Sequence, residues 1–179
     1  KALWKGKPLE SIWRMAAAHE ATLHLGHKAL ELDPANRCVR DEQGTVYHYE
    51  KLLLATGGAP RRLSPDSPGV IYFRTVDDYS RLRQLAEKKR RFVVIGGGFI
   101  GSEIAALAMN GKQVAMVFPE SGIGARVFPR DLATFLNGFY RDKGVEVRGG
   151  ERVISVAMHD DRFIVKVMSR QSQREDEIE

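Results

Sequence analysis

Residues 92–103 read Phe-Val-Val-Ile-Gly-Gly-Gly-Phe-Ile-Gly-Ser-Glu. A β-branched apolar run, a glycine turn and a helix start follow one another here, the order that cradling a diphosphate requires. Gly96 would allow the tight turn, Gly98 would keep a side chain away from the pyrophosphate, and Gly101 would let helix pack closely on strand. The phosphates would rest on the free N–H groups of the helix beginning near Phe99. A dinucleotide site is the first expectation.

A carboxylate near the end of the next strand is the second requirement, because it accepts hydrogen bonds from ribose hydroxyls and repels a 2′-phosphate. Residues 113–118 supply that strand. Phe118 stands where many such domains place the acid, and Glu120 follows shortly after it, close to the expected spacing of about 20 residues. Glu120 favours NADH over NADPH, unless it is only a solvated loop charge. Arg126, in the same glycine-rich loop, is the residue that could admit NADPH instead.

The 179 residues carry a net charge of +5, have an ordinary globular composition and are long enough to bury a sizeable core. No apolar run approaches the roughly 18 residues of a membrane span. Cys38 is the only cysteine, which leaves no C-x-x-C redox pair, internal disulfide or thiolate zinc cluster within these residues. His19, His24 and His27 lack acidic or cysteine partners at ligand spacing and read as surface or hydrogen-bonded histidines. The basic run Arg81, Arg83, Lys88, Lys89, Arg90 and Arg91 falls mostly in the last turn of an expected helix, where cations complement the dipole. Without interleaved aromatics it makes a poor nucleic-acid footprint.

The elements that must position these residues can be read in order. Leu30 and Leu32, then Val39, then Val46, Tyr47 and Tyr49 predict a small antiparallel meander. Residues 52–55 are continuously apolar and predict a buried strand running into Gly57 and Gly58. Residues 59–69 carry three prolines and read as a linker. A short strand is expected over 70–73, and Thr75 with Asp78 forms a plausible capping box for a helix from Val76. The fingerprint helix presents Ile100, Ile104, Leu107 and Ala108 at helical spacing and stops at Asn110 and Gly111. Pro129 opens a further helix ended by Gly144, Val145 and Val147 form a third parallel strand, and residues 153–156 and 163–167 form a hairpin. The expected fold is α/β: a βαβαβ Rossmann-like half plus a β-meander, without the remaining strands of a full sheet. The chain starts at Lys1, and residues 169–179 are polar with no closing strand, so it reads as an excised segment.

Fingerprint, meander and the Ala55-Thr56-Gly57 strand end together resemble the pyridine nucleotide-disulfide oxidoreductase superfamily, and within it the apoptosis-inducing factor group. The matching text includes Lys1-Ala2-Leu3-Trp4, residues 49–58, Pro60-Arg61, Phe73-Arg74, residues 96–103 and Phe118-Pro119-Glu120, with residues 5–19 departing from the pattern. The resemblance implies that 1–58 is the latter, incomplete part of an FAD-binding domain and that 59–179 is an NAD-binding domain lacking its last strands. It implies that Gly97, Gly98, Phe99 and Ile100, between the fingerprint positions Gly96 and Gly101, line the NADH path, Glu120 holds the adenosine ribose, and Arg126 sits near it. Ala29 and Arg74 resemble FAD-contacting positions. Lys1 and Glu103 resemble the lysine and glutamate paired beside the flavin where hydride arrives; the simpler readings are a surface lysine and a favourable first-turn charge.

The activity so implied is FAD-dependent transfer of hydride from NADH to flavin, which this segment alone would not support. The alternative acceptor assignment is a ferredoxin or rubredoxin reductase, since residues 69–78 also resemble those enzymes. A different class is an NADH-sensing scaffold with little turnover that changes its dimerisation. NADH, a ferredoxin-like acceptor and a second copy of the chain are the expected partners. The expected location is cytoplasmic for a bacterial protein and mitochondrial for a eukaryotic one.

Overall fold

The computed structural model describes Pro8 and residues 21–63, 69–160 and 162–178. The chain forms two compact units, Lys1–Gly58 and Ala59–Glu179.

In the first unit β1 (Ala29–Asp33), β2 (Cys38–Asp41) and β3 (Val46–His48) pair antiparallel in sequence order. Two aspartates shape its turns. Asp33 accepts from the Asn36 backbone N–H at 3.0 Å and from its side-chain amide at 2.7 Å, closing the β1–β2 turn. Asp41 is buried, and its Oδ1 accepts from the N–H groups of Gln43 and Thr45, each at 2.9 Å, while Gly44 supplies the left-handed residue (φ 84°). Oδ2 accepts from Tyr47 Oη and His27 Nδ1, both at 2.8 Å.

The strand expected over 52–55 is absent. Leu53 is 88% exposed and Leu54 64%, because none of the three strands of this unit's sheet runs beside them to pair their backbone groups.

The second unit is built on a parallel sheet of β4 (Arg91–Ile95), β5 (Gln113–Phe118) and β6 (Val145–Gly149), in that spatial order. Each parallel step needs a crossover. Helix α2 (Phe99–Ala105), continued as a 3-10 turn to Asn110 and stopped by Gly111 in the left-handed conformation, supplies the first. Helix α3 (Arg130–Asp142), entered through Pro129 and stopped before Gly144 (φ 85°), supplies the second. Helix α1 (Val76–Lys88) precedes the sheet and carries the expected Thr75–Asp78 capping box. β7 (Glu151–His159), β8 (Arg162–Ser169) and β9 (Glu175–Ile178) form the antiparallel meander.

The core lies between sheet and meander. Ala115 and Val117 of β5 pack on Val156, Val165, Val167 and Ile178, with Leu63, Val70, Val93, Val153 and Phe163 around them. On the opposite face of β5, Met116 reaches the fingerprint helix at Gly101.

Several expectations are corrected. Residues 70–73 make no strand ladder, although Val70 still packs on the core. The hairpin strands are longer than the apolar runs suggested, since ladder hydrogen bonds continue through exposed residues. The polar C-terminal stretch does contain a strand, β9, held by backbone pairing and by charges: Asp176 accepts from Arg148 at 2.6 Å, and Lys166 lies 3.2 Å from Glu177. Ile100, in the first turn of α2, is 46% exposed, whereas Leu107 is buried as its spacing predicts and Ala105 is buried beside it.

The His27 hydrogen bond, followed by those from Tyr47, Thr45 and Gln43, holds the Asp41 carboxyl well below the usual carboxylate range. A depressed folded value gives stability that is present above the unfolded pKa of about 3.9 and is lost as pH falls through the folded one. Melting of the first unit, followed by circular dichroism, should fall steadily with acidification below about pH 4, and Asp41→Asn should flatten that dependence while lowering stability at neutral pH.

Candidate functional site

The carboxyl ends of β4 and β5 lie side by side, with Ile95 opposite Val117, so the segments leaving them meet at one edge of the sheet. That edge is where open α/β sheets bind ligands. Gly96 leaves β4 at φ 118°, a conformation closed to most side chains, and donates its N–H to the Val117 carbonyl at 2.8 Å. A Cβ on Gly97 would stand 2.7 Å from the Phe118 ring, and one on Gly101 would overlap the Gly96 carbonyl oxygen. Gly98 differs: nothing lies within 4 Å of where its Cβ would be. Gly98 caps α2, and Phe99 and Ile100, at 60% and 46% exposure, open the helix with first-turn N–H groups that no carbonyl within the helix can reach. The bend is therefore unblocked on the side a diphosphate would approach.

The facing wall is the loop 119–128. Glu120 is three-quarters buried, its carbonyl accepting from Gly150 N–H at 2.8 Å. Arg126 bonds the Glu120 carboxylate through Nε at 2.6 Å and through a terminal nitrogen, both on Oε1. Oε2 has no partner among the described residues. The loop is tied to the glycine bend by Gly124 N–H donating to the Gly97 carbonyl at 2.7 Å, and Phe128 meets Phe99 edge-on with centroids 5.6 Å apart.

Helix α3 anchors both walls. Buried Asn137 donates from Nδ2 to the Ser121 carbonyl at 2.9 Å and accepts the Ile123 N–H on Oδ1 at 3.0 Å. Tyr140 Oη donates to the Ser102 carbonyl of α2 at 3.1 Å. Neither residue stood out in the sequence. The available signal was an asparagine at the spacing of Ala133 and Tyr140, on the helix face that turns inward.

A family model described as pyridine nucleotide-disulphide oxidoreductase matches residues 6–178. The chain belongs to that family. Among its relatives, monodehydroascorbate reductase 3 of Arabidopsis thaliana is 32% identical over 155 residues, covering 81% of the chain and 35% of that protein. Terpredoxin reductase of a Pseudomonas species is 37% identical over 143 residues, 78% of the chain and 35% of that protein. The covalent putidaredoxin reductase–putidaredoxin complex contains a chain that superposes with a TM-score of 0.77 at 27% identity, covering 98% of this chain and 45% of that one. The chain thus spans about a third of the length of these curated relatives.

The structure brings Gly96, Gly97, Gly98, Phe99, Ile100, Gly101, Glu120 and Arg126 to one edge of the second unit. Glu103 is exposed on α2, and Lys1 lies outside the described residues. Ala29 begins β1 of the first unit. Arg74 is exposed ahead of α1, its N–H donating to Asp78 Oδ2 at 2.9 Å. The Thr75 N–H and then the Arg74 N–H hold the Asp78 carboxyl below its ordinary range.

Tyr140→Phe removes one donor to a helix carbonyl while keeping the ring. A loss of about 1 kcal/mol in unfolding free energy is expected, read by urea titration.

Proposed function

We propose that this chain carries the NADH-binding part of an FAD-dependent oxidoreductase that passes electrons to a small iron–sulfur protein. The observation that carries the reading is the open face at Gly98 opposite a wall whose carboxylate keeps one oxygen available. In it, residues 59–179 are the NAD-binding domain and 1–58 part of the FAD-binding domain.

Gly96, Gly97, Gly98 and Gly101 give the backbone room for the pyrophosphate, and the N–H groups of Phe99 and Ile100 face its charge. Glu120 Oε2 accepts the ribose hydroxyls. Arg126, by holding Oε1, fixes the carboxylate's orientation and spends its own charge on it, which supports NADH over NADPH. Bound FAD would supply the chemistry of hydride acceptance and onward electron transfer. Ala29 and Arg74 are the positions proposed to touch FAD, and Lys1 with Glu103 the pair proposed beside its ring, where the lysine's charge would favour reduction.

The iron–sulfur acceptor is supported by the likeness to terpredoxin reductase and to the putidaredoxin reductase complex. The monodehydroascorbate reductase likeness supports a second reading, with a small oxidised organic acceptor.

Anaerobic titration of the full-length, FAD-loaded protein at the flavin band tests the assignment. Reduction should occur at lower NADH than NADPH concentration, and Glu120→Ala should weaken the NADH response about tenfold, the scale of one lost charge-assisted hydrogen bond. Equal response to both nucleotides, with no effect of Glu120→Ala, would discard it. Stopped-flow mixing with a ferredoxin or with an organic oxidant then separates the acceptors, whereas slow reoxidation by either would favour the apoptosis-inducing-factor-like scaffold.

A further inference from the structure

We propose that Asn137 is the positioning residue that sets both NADH affinity and NADH-over-NADPH selectivity, acting through Glu120. The proposal rests on the reading of Glu120 as the ribose carboxylate.

Glu120 cannot be placed by its own strand, since β5 ends at Phe118. Its place depends on how the following loop is held, and several described contacts hold it, among them Arg170 donating to the Pro119 carbonyl and Arg126 on the Glu120 carboxylate. Gly150 N–H fixes the Glu120 carbonyl, Gly124 N–H fixes the loop to the Gly97 carbonyl, and between them stands Asn137. The Asn137 amide grips the loop twice, donating to the Ser121 carbonyl and accepting from the Ile123 N–H. A donor and an acceptor on one rigid plane dictate a single curvature for residues 121–123. Neither a carboxylate, with no donor, nor an apolar side chain does both.

The grip comes from a helix already bound to the opposite wall. Tyr140, one turn further along α3, holds the Ser102 carbonyl next to Gly101. α3 is therefore the common reference for the glycine bend and for the carboxylate, and Asn137 transmits that reference to Glu120. With the grip gone, the bend and its N–H groups persist, so a diphosphate still binds. The carboxylate, however, no longer sits where it meets a ribose hydroxyl or repels a 2′-phosphate.

Steady-state kinetics of the full-length, FAD-loaded protein with NADH and with NADPH, well below the melting temperature, make the test. Asn137→Ala should raise KM for NADH about tenfold with kcat within about twofold of the parent, and should narrow the gap between the two nucleotides. Asn137→Asp, which keeps the acceptor for Ile123 and puts a second acceptor against Ser121, should shift KM in the same direction and guards against a poorly folding alanine variant. The double variant Glu120→Ala, Asn137→Ala should be no worse than Glu120→Ala alone. Val167→Ala, in the meander core, matches the loss of thermal stability and should leave KM alone.

If Asn137→Ala and Asn137→Asp lower the melting temperature as Val167→Ala does but leave KM and selectivity unchanged while Glu120→Ala raises KM, the positioning role is overturned and the ribose assignment stands. If Glu120→Ala itself leaves KM unchanged, both fall together.

Discussion

The ring of Phe118 is the point on which the edge proposed to face the nucleotide rests. Only 1% exposed, it fills the space that a side chain on Gly97 would need and stands 3.1 Å from where a Cβ on Gly149 would be. One aromatic side chain thus lies beneath the fingerprint bend, at the end of its own strand and against the end of the third strand. Because such interiors are close-packed, neither glycine can gain an atom without displacing the ring. The bend, the start of the Glu120 loop and the sheet-to-meander junction consequently share one packing solution.

Around that ring, directional bonds convert packing into geometry. Parallel pairing of β4 with β5 sets the height of the two walls, the Gly124–Gly97 bond sets their separation, and the amide of Asn137 sets the curvature of the loop. Arg126 then occupies one carboxylate oxygen and leaves the other. Coulomb attraction in this exposed pair adds little stability. Its effect is orientational.

Much of this was legible in the residues. The fingerprint glycines, the strand 113–118 and the Thr75–Asp78 cap are local signals, because a turn or a cap is decided by residues adjacent in sequence. Glu120 and Arg126 were legible for the same reason. Asn137 was not, since nothing in its neighbours announces that its amide will meet a loop fourteen positions away. β9 was hidden by polarity: its ladder is a backbone property, Asp176 and Glu177 meet Arg148 and Lys166, and Ile178 at its end enters the core. The 3-10 tightening after Ala105 likewise has no helix-breaking residue to mark it.

The uncovered leucines at 52–54 bear on handling of the polypeptide. An exposed apolar run whose backbone pairs with no strand among the described residues offers a ready template for edge-to-edge association between molecules. Concentrated preparations in which that run stays bare are prone to aggregate from it, and a charged residue in place of Leu53, 88% exposed and free of packing, would act as a gatekeeper.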